Sequence, residues 1–399
     1  MFATRFGFGS RLSAANRHRW ASFFRRNSSS STMTSDQKFV VKRDEMHRFV
    51  VDCMAAVGAK EENGAKVADL LISADVRGHY SHGLNRLRIY MEDCRSGNCD
   101  ANAQPAILRQ KGATAWIDGR NGLGAVVADF CTRIAIELAA EHGVGWVVCK
   151  SSNHFGIAGF WPLLMKERGY LGMAMTNTSP LVFPTRAAQH ALGTNPIAIV
   201  APAENGDDFA LDMATSAVAL GKIELAERKG ERINEQWGAD KSGRPTDDPA
   251  DITQKGGGLL PLGGCEETGG YKGAGLGMAV ELCTSILGGA TYGKNVRTWR
   301  ETSKVADLGQ CFVAVDPACF APGFNTRLQT YMDETRQLIP ADREKPVLVP
   351  GDPERKHTAE SESGILYGQA QLDHLLEIAK HNNVRPFVYK PATPTRPSL

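Results

Sequence analysis

The feature that most constrains this fold is an alternation of short apolar strands and helices between residues 113 and 228. An amphipathic stretch from Val126 to His142 predicts a helix, and the apolar run from Val144 to Cys149 predicts a buried strand. Further strands are predicted over 113–118, 170–176, 197–201 and 208–213, and further helices over 159–168 and 216–228. This pattern predicts a mixed α/β or α+β protein.

The flanking regions follow different patterns. Apolar residues at helical spacing predict helices over 43–76 and 81–94. The polar stretch 229–272 is rich in Gly, Pro and Asp and predicts long loops. A glycine-containing apolar helix is predicted over 273–289, and the Pro-rich tail after residue 386 is predicted to be loosely ordered.

The Gly-Xaa-Gly at Gly122 and Gly124 invites comparison with the Rossmann dinucleotide fingerprint, and it fails that comparison. The third glycine position is occupied by Val127. The acid about twenty residues further on, Glu141, lies inside the predicted helix instead of at the end of a second strand. We therefore expect no standard Rossmann domain.

The first 35 residues have the composition of an organelle transit peptide. They contain six arginines and no acidic residue, and they are rich in serine. We expect cleavage of this segment and a mitochondrial matrix location. The alternatives are a disordered basic tail and a cytoplasmic form that starts at Met33.

Charge and cysteine content exclude several classes of protein. The chain carries 46 Lys and Arg against 44 Asp and Glu, and six of the basic residues lie in the first 35, so the remainder carries 40 against 44. This mildly acidic body does not suggest a nucleic-acid surface. No run approaches the roughly 18–20 apolar residues of a spanning helix. The nine cysteines form no CxxC pair and predict reduced thiols.

The first cluster of candidate site residues follows the helix predicted over 43–76. His82, Arg86 and Tyr90 are spaced by four residues, so a helix would place them on one face, next to Ser81. An imidazole, a guanidinium and a phenol carry the donors that hold a small carboxylate, and Arg can bind it bidentately. The alternative is a solvated helix face on which Tyr90 packs.

Asn153 and His154 follow the strand predicted over 144–149 and precede a helix. Loops at strand ends are where open α/β sheets place catalytic groups. A neutral imidazole with a pKa of about 6.5 can take a proton from a hydroxyl group near pH 7. His154 is therefore a candidate general base, and the alternative is a histidine that makes only a structural hydrogen bond.

Candidate cofactor-binding residues follow two later strands. Thr178 lies in a polar loop after one of them, and Asp212, Met213 and Ala214 lie at the end of another. Asp212 could orient an imidazole or the amide of a nicotinamide. The alternative is that Asp212 only caps a helix.

Two lysines are candidates for binding phosphate. Lys222 is either a phosphate contact or a surface lysine. Lys272 lies in the glycine-rich segment 269–277, where a helix N-terminus would favour an anion, or where the helix packs closely through its glycines. His79 and His82 lack an acidic or Cys partner at ligand spacing, so we expect no metal site. No Gly-Xaa-Ser-Xaa-Gly elbow supports a serine hydrolase.

Taken together and in this order, these motifs resemble the malate/L-lactate dehydrogenase family that lacks the Rossmann fold. Its members include malate, ureidoglycolate and sulfolactate dehydrogenases and some cyclic imine reductases. The resemblance extends over roughly residues 40–370. The segments that carry it are Ser81-His82-Gly83 with Arg86, residues 118–124, Asn153-His154-Phe155-Gly156, residues 176–180, residues 211–216, Gly221-Lys222-Ile223 and Tyr271-Lys272-Gly273.

The resemblance implies an NAD(P)-dependent oxidoreductase whose non-Rossmann, sheet-based cofactor domain spans 115–300. A helical region on the substrate side would combine 36–114 with the C-terminal segment 301–385. The transit peptide, 1–35, and a loose tail, 386–399, lie outside both. Members are typically homodimers with active sites near the subunit interface.

Residue roles also follow from the resemblance. His154 matches the proton acceptor, and His82 and Arg86 match catalytic residues on the substrate side. The residues that would bind substrate are Ser81, Tyr90 and Asn153, and those that would bind the cofactor are Thr178, Asp212, Met213, Ala214, Lys222 and Lys272.

The sequence thus predicts a mitochondrial dehydrogenase that interconverts a small 2-hydroxy acid and its 2-oxo acid, with L-malate and oxaloacetate the leading pair and NAD or NADP the cofactor. The alternatives are reduction of a cyclic imino acid, reduction of sulfopyruvate or pyruvate, and a homologue that binds nucleotide without catalysis. The expected partners are a small carboxylate and a second copy of the chain, with neither nucleic acid nor membrane.

Overall fold

A computed structural model describes residues 37–299, 301 and 303–392, and the predicted transit segment lies outside them. The residues from Lys38 onward form one compact unit. The helices within the described residues are α1 (Arg43–Ala55), α2 (Glu61–Val76), α3 (Leu87–Arg95), α4 (Gly124–His142), α5 (Phe160–Lys166), α6 (Leu220–Lys229), α7 (Pro249–Thr253), α8 (Gly270–Glu281), α9 (Phe324–Arg336), α10 (Asp352–Glu360) and α11 (Gln369–His381).

The strands within the same residues are β1 (Lys38–Val41), β2 (Ala106–Lys111), β3 (Thr114–Asp118), β4 (Val144–Ser152), β5 (Leu171–Thr176), β6 (Ile197–Pro202), β7 (Asp208–Met213), β8 (Gly238–Ala239), β9 (Gly258–Leu259), β10 (Leu308–Val315), β11 (Ile365–Gly368) and β12 (Tyr389–Pro391). Seven of them form the main sheet in the order β2-β3-β4-β10-β5-β6-β7. Only β3 and β4 are parallel neighbours. The predicted non-Rossmann α/β fold is confirmed, since a Rossmann sheet is mostly parallel.

Helices cover both faces of this sheet at its centre. On one face, Val147 of β4 and Phe312 of β10 belong to the core that α4 completes. On the other face, Val148 and Val313 pack with Val280 of α8. Because both faces are buried, residues 144–149 of β4 and 311–315 of β10 are continuous apolar runs without alternating polar residues.

A second, three-stranded sheet joins the two ends of the described chain. The N-terminal strand β1 lies between β11 and β12 and is antiparallel to both. Segments from the N- and C-terminal parts of the described chain therefore meet in this sheet. The loose tail expected from residue 386 is wrong at its start, because Phe387 is buried and Tyr389–Pro391 pair with β1. Residues 393–399 lie outside the described residues.

Several predicted elements have different bounds in the structure. The helix predicted over 43–76 is two helices, because Gly58 at φ +86° lies in the connection between α1 and α2. The segment 229–272 contains α7 and the paired strands β8 and β9 as well as loops. The apolar helix over 273–289 is α8 continued by a turn of π-helix, Leu282–Ile286. No helix of the described residues is both long and apolar enough to cross a membrane.

Candidate active site

The predicted site motifs meet because of the strand directions in the main sheet. β10 is antiparallel to both β4 and β5, and β6 is antiparallel to both β5 and β7. Consequently β3, β4, β5 and β7 all run in one direction, and their carboxyl ends lie at one sheet edge. The segments 118–124, 152–156, 176–180 and 212–216 follow these four ends. Open α/β sheets bind their ligands at this kind of edge.

His154 lies at this edge, and two polar groups approach one of its ring nitrogens. The Tyr90 hydroxyl is 2.6 Å from Nδ1, and the Gly156 N–H donates to the same atom at 3.2 Å. Tyr90 donates to Nδ1 when the ring proton lies on Nε2, and accepts from Nδ1 when the proton lies there. Burial lowers the pKa of His154 well below its usual value, and the nearby Arg86 and His82 lower it further. The ring is therefore neutral at pH 7.

The imidazole of His82 stacks on that of His154, with the ring centroids 5.8 Å apart and the planes 23° from parallel. Burial, with a smaller contribution from Arg86, lowers the pKa of His82 to about 3. Its Nδ1 lies 2.9 Å from Oγ of the exposed Ser81. Both histidines are thus neutral near pH 7 and can each direct one polar nitrogen at a ligand.

The helix predicted over 81–94 is wrong in its first half. Leu84–Arg86 form a turn of 3₁₀-helix, and α3 begins only at Leu87. Gly83 precedes this turn with a non-helical backbone, at φ −87° and ψ −137°, and it packs on a buried carboxylate: a Cβ there would be 1.7 Å from Oδ1 of Asp75. Tertiary packing, not a shared helical face, brings the predicted cluster together.

Asp75 holds the turn that carries this cluster. Its side chain accepts hydrogen bonds from the Leu84 N–H at 3.3 Å and from the Tyr367 hydroxyl at 2.6 Å. Asp75 is 1% exposed, and burial raises the pKa of its carboxyl to about 7. The sequence analysis missed Asp75 and Tyr367, since β11, which carries Tyr367, is 292 residues away along the chain.

Arg86 faces a pocket that Tyr90, His154, Asn153 and Gly124 also line. Its guanidinium lies over the Trp299 ring, 5.0 Å from the centroid. Its Nε is buried and has no hydrogen-bond partner among the described residues. Burial lowers the pKa of Arg86, but an arginine stays charged in proteins. The pocket therefore contains a cation with one unpartnered donor beside a neutral histidine.

A buried ion pair forms another wall of this pocket. Arg297 binds Asp93 of α3 bidentately, at 2.5 and 3.0 Å, and both side chains are less than 10% exposed. The same guanidinium donates to the carbonyls of Glu301 and Lys304, each at 2.9 Å. This pair fastens the segment that carries Trp299 to α3. Sequence reasoning missed it because no local motif links residues 204 positions apart.

Asn153 is fixed by its neighbours. Its Nδ2 donates to the Gly122 carbonyl at 2.8 Å, and its own carbonyl accepts from Nε2 of the fully buried Gln310, also at 2.8 Å. Its Oδ1 is buried and unpartnered among the described residues. Nothing in the sequence pattern had singled out Gln310.

Thr178 belongs to a network that links β5 to α8. Its N–H donates to Oδ1 of Asn195 at 3.0 Å, and its hydroxyl accepts from the Thr194 N–H at 2.9 Å. Asn195, which is fully buried, donates in turn to the Gly277 carbonyl at 3.0 Å and to Glu281 at 2.7 Å. Asn195 is the centre of this network, and the sequence analysis did not identify it.

Asp212 bonds to the start of α5. Its Oδ2 accepts the Gly159 N–H at 2.7 Å, and burial raises the pKa of its carboxyl. This bond ties the end of β7 to the residue before α5, and Asp212 does not cap the helix that follows it. Met213 and Ala214 are half-buried beside it at the end of β7.

Lys222 and Lys272 are exposed, and no carboxylate of the described residues pairs with either. Their ammonium groups lie 4.2 Å and 5.8 Å from the ring centroids of neighbouring aromatic side chains. Gly221 and Gly275 have open space where a Cβ would lie. Available cations beside open backbone suit a dinucleotide pyrophosphate. Among the described residues, no group of three or more His, Cys, Asp and Glu could hold a metal.

Comparisons with known proteins agree with this fold and site. A sequence model of the malate/L-lactate dehydrogenase family matches residues 41–376. A malate dehydrogenase from Pyrococcus abyssi is 40% identical over 75% of this chain and 83% of its own. An L-sulfolactate dehydrogenase from Methanocaldococcus jannaschii is 34% identical over 85% of this chain and 96% of its own. The solved malate dehydrogenase from Pyrococcus horikoshii superposes with a TM-score of 0.81, at 34% identity over 90% and 99%.

The fold and the site define a nicotinamide-dependent 2-hydroxyacid dehydrogenase that acts on a small carboxylate. The chain belongs to the malate/L-lactate dehydrogenase family, which confirms the resemblance. Relatives differ in cofactor: a ureidoglycolate dehydrogenase of Escherichia coli (29% identical, over 86% and 96%) is named for NAD+, and a (2R)-3-sulfolactate dehydrogenase of Chromohalobacter salexigens (34%, over 80% and 91%) for NADP+.

Proposed function

We propose that this protein interconverts L-malate and oxaloacetate, with NAD as the cofactor. The observation that carries the proposal is Arg86, whose buried Nε has no hydrogen-bond partner among the described residues and which lies in one pocket with His154. An arginine in this state binds a substrate carboxylate bidentately and fixes its orientation. The malate dehydrogenase from Pyrococcus abyssi, 40% identical, supports malate as the leading substrate.

The proton transfer uses His154, and Tyr90 makes it reversible. A tyrosine hydroxyl can both donate and accept. When Nδ1 carries the ring proton, it donates to the Tyr90 oxygen and leaves Nε2 free to accept the proton of the substrate hydroxyl. In the reducing direction, Nε2 of the protonated ring donates to the keto oxygen. The nicotinamide, when bound, supplies or accepts the hydride at C2.

His82 has a supporting role in this proposal. With a pKa of about 3 it is neutral at pH 7, so it can hydrogen-bond a second substrate oxygen without competing for the proton. Ser81 and Asn153 complete the polar lining on the substrate side. His82 and His154 therefore make different contributions, although their rings stack.

Six residues would hold the dinucleotide. Exposed Lys222 and Lys272 would contact its phosphates, since the backbone is open at Gly221, next to Lys222, and at Gly275, three residues after Lys272. Thr178 and Asp212, with Met213 and Ala214, would lie along it at the sheet edge that also carries His154. Comparison of NADH with NADPH as the reductant tests the preference for NAD.

The decisive experiment follows oxidation of NADH and NADPH by the purified protein with oxaloacetate, pyruvate, sulfopyruvate, 2-oxoglutarate and a cyclic imino acid. We expect oxaloacetate to have the highest kcat/KM. His154→Gln should lower kcat by about 10²–10⁴-fold, as loss of a general acid–base group does, with NADH binding retained. His82→Gln should mainly raise KM.

The panel also tests the alternatives. A solved relative, the Δ1-piperideine-2-carboxylate reductase from Pseudomonas syringae (28% identical, TM-score 0.76, covering 85% of this chain and 99% of its own), favours a cyclic imino acid as the second candidate. If the cyclic imino acid were turned over faster than oxaloacetate, it would replace oxaloacetate and malate as the proposed substrate pair. NADH binding without turnover of any substrate would favour the non-catalytic homologue.

We propose further that the protein is a homodimer. Met278, Leu282 and Ile286 form a stripe at four-residue spacing along α8 and its π-turn, and each is 47–59% exposed. Such an apolar face favours association. Sedimentation equilibrium should give twice the chain mass, and Leu282→Glu should give monomers.

The mitochondrial location is a separate proposal, supported by the composition of residues 1–35. Six arginines without an acidic residue are typical of a transit peptide. Fused to a fluorescent protein, this segment should direct it to the matrix. Expression from Met33 should instead leave the fusion in the cytoplasm.

A further inference from the structure

The N-terminus of α4 opens into the Arg86 pocket without a cap. Its N-cap residue is Leu123, whose side chain has no acceptor, and the first turn contains no acidic residue. Leu123, Gly124 and Ala125 all line the pocket. The first N–H groups of an α-helix have no partner within the helix, and the start of a helix carries a partial positive charge. This 19-residue helix therefore presents a positive end to the ligand.

Two main-chain donors at this end are unsatisfied. The N–H groups of Val126 and Val127 both donate to the Leu123 carbonyl, at 2.9 and 3.0 Å. For the N–H groups of Gly124 and Ala125, no acceptor occurs among the described residues, although Ala125 is only 1% exposed. Buried main-chain donors in native proteins almost always have a partner. The missing partner is therefore expected to be a ligand.

Asn153 provides an independent indication that the pocket holds a ligand. This side chain is 6% exposed and lines the same pocket, and its Oδ1 lacks a partner among the described residues. The orientation of the amide is fixed, since Nδ2 donates to the Gly122 carbonyl. The pocket thus combines unsatisfied donors, on Arg86 and the helix, with one unsatisfied acceptor.

We propose that the main-chain N–H groups of Gly124 and Ala125 form the second half of the substrate-carboxylate site. One carboxylate would accept from Arg86 on one side and from the helix N-terminus on the other. A hydroxyl or N–H group of the same ligand would donate to Asn153. This inference rests on the proposed function, because it assigns the binding of the 2-hydroxy acid carboxylate.

The site would select for a full negative charge next to C2. Donors fixed in a buried pocket bind a carboxylate through charge-assisted hydrogen bonds, which are about twice as strong as neutral ones. A primary amide in place of the carboxylate would lose the charge and direct an N–H group at the helix N–H groups. We expect 2-oxo amides to have a kcat/KM at least about 100-fold below that of the acids.

The test uses the fact that a capping side chain competes for the same N–H groups. In Leu123→Asn, the side-chain oxygen can accept from the Ala125 N–H, since an N-cap side chain reaches the second N–H group of its helix. Leu123→Ala removes the same buried packing without adding a cap and is the matched control. Oxalate serves as the probe, and its affinity is measured by calorimetry on the full chain, with and without NADH.

We expect Leu123→Asn to bind oxalate about tenfold more weakly than Leu123→Ala, and to unfold at the same or a higher temperature. Greater stability together with weaker binding is not expected from damage to the core. Equal oxalate affinity of the two variants would overturn the proposal. Because binding is measured without turnover, this result is distinguishable from failure of the proposed function, which would be inactivity of the wild type on every 2-oxo acid.

A second measurement covers the case in which Leu123→Asn does not fold. A crystal structure of the wild-type protein with oxalate should place a carboxylate oxygen within hydrogen-bond distance of the Gly124 or Ala125 nitrogen and another near Arg86. Oxalate bound to Arg86 with every oxygen more than about 3.5 Å from both nitrogens would contradict the proposal.

Discussion

The Tyr90 hydroxyl lies 2.6 Å from Nδ1 of His154, and these residues are 64 positions apart in the chain. Tyr90 is 7% exposed, and burial raises the pKa of its phenol, so the hydroxyl keeps its proton. A neutral phenol can follow either tautomer of the imidazole. This contact therefore orients His154 while permitting proton exchange at the other nitrogen.

Replacing Tyr90 with Phe tests this orientation. Tyr90→Phe should lower kcat by about tenfold with little change in KM, because the hydroxyl acts through His154 and does not hold the substrate carboxylate. Tyr80→Phe is the matched control, since its hydroxyl donates to the Leu366 carbonyl, at 2.9 Å. Steady-state kinetics of both variants are the measurement. An equal loss of kcat in the two variants would contradict the role.

The lowered pKa of His154 predicts an asymmetric pH dependence. Reduction needs the protonated ring, whose fraction falls about tenfold per pH unit above the pKa. Because that pKa lies well below its usual value, kcat/KM for reduction should rise about tenfold per unit from pH 8 to pH 6. Oxidation needs the neutral ring and should stay flat over this range. A plateau in the reduction profile between pH 6 and 7 would contradict this assignment.

Asp75 predicts a pH dependence of stability. Its folded-state pKa of about 7 lies above the unfolded value, so its contribution to stability is complete below about pH 4 and is lost as the pH rises to 7. Asp75→Asn does not titrate. The free energy of unfolding of the wild type should therefore fall, relative to that of Asp75→Asn, by on the order of 4 kcal/mol between pH 4 and pH 7.

Urea unfolding at intervals of one pH unit measures this difference. Asp69, exposed on the same helix, provides the matched control as Asp69→Asn, because this variant makes the same chemical change on the protein surface. Curves for wild type and Asp75→Asn that stay parallel from pH 4 to pH 7 would show that Asp75 is not the titrating group.

Breaking the buried pair between Asp93 and Arg297 should be costly. Asp93→Asn leaves the Arg297 charge buried without its counter-ion and should destabilise the protein by about 3–5 kcal/mol. The double variant Asp93→Leu/Arg297→Met should recover part of this loss, since it removes both charges. Denaturant unfolding is the measurement.

The exposed pair of Arg232 and Asp247, with side chains 70% and 58% exposed, is the control for this prediction. Asp247→Asn should cost less than about 1 kcal/mol, because solvent screens an exposed ion pair. If Asp93→Asn lowered the free energy of unfolding by as little as Asp247→Asn, the wall of the pocket would not depend on the ion pair.

Much of the fold could be predicted from local patterns. The helix α4 and the strands β4, β5 and β7 have apolar periods and glycine boundaries that the sequence displays directly. The helix predicted over 81–94 is too long, because the spacing of its residues fits a helix while the Leu84 N–H instead donates to the Asp75 carboxylate and Gly83 has a non-helical backbone. A contact between α2 and the following turn decided that boundary.

The candidate site divides in the same way. His154, Arg86, Tyr90 and Asn153 were recognisable as chemically useful side chains that follow predicted elements. The residues that hold the site in place were not recognisable: Asp75 with Tyr367 holds the turn before Arg86, Gln310 holds Asn153, and Asn195 holds Thr178. Each is a single buried polar residue, and only a partner far away in the chain gives it a role.

The sequence by itself determined the class of fold, the order of the motifs and the family, because periodicity, glycine positions and motif order are local properties. Only the tertiary structure decided which strand ends share an edge, which polar groups stay unsatisfied in the pocket, and that Phe387 and the strand after it close the N-terminal sheet. The physical reason is that burial and hydrogen-bond satisfaction depend on residues hundreds of positions apart. No local pattern specifies these long-range contacts.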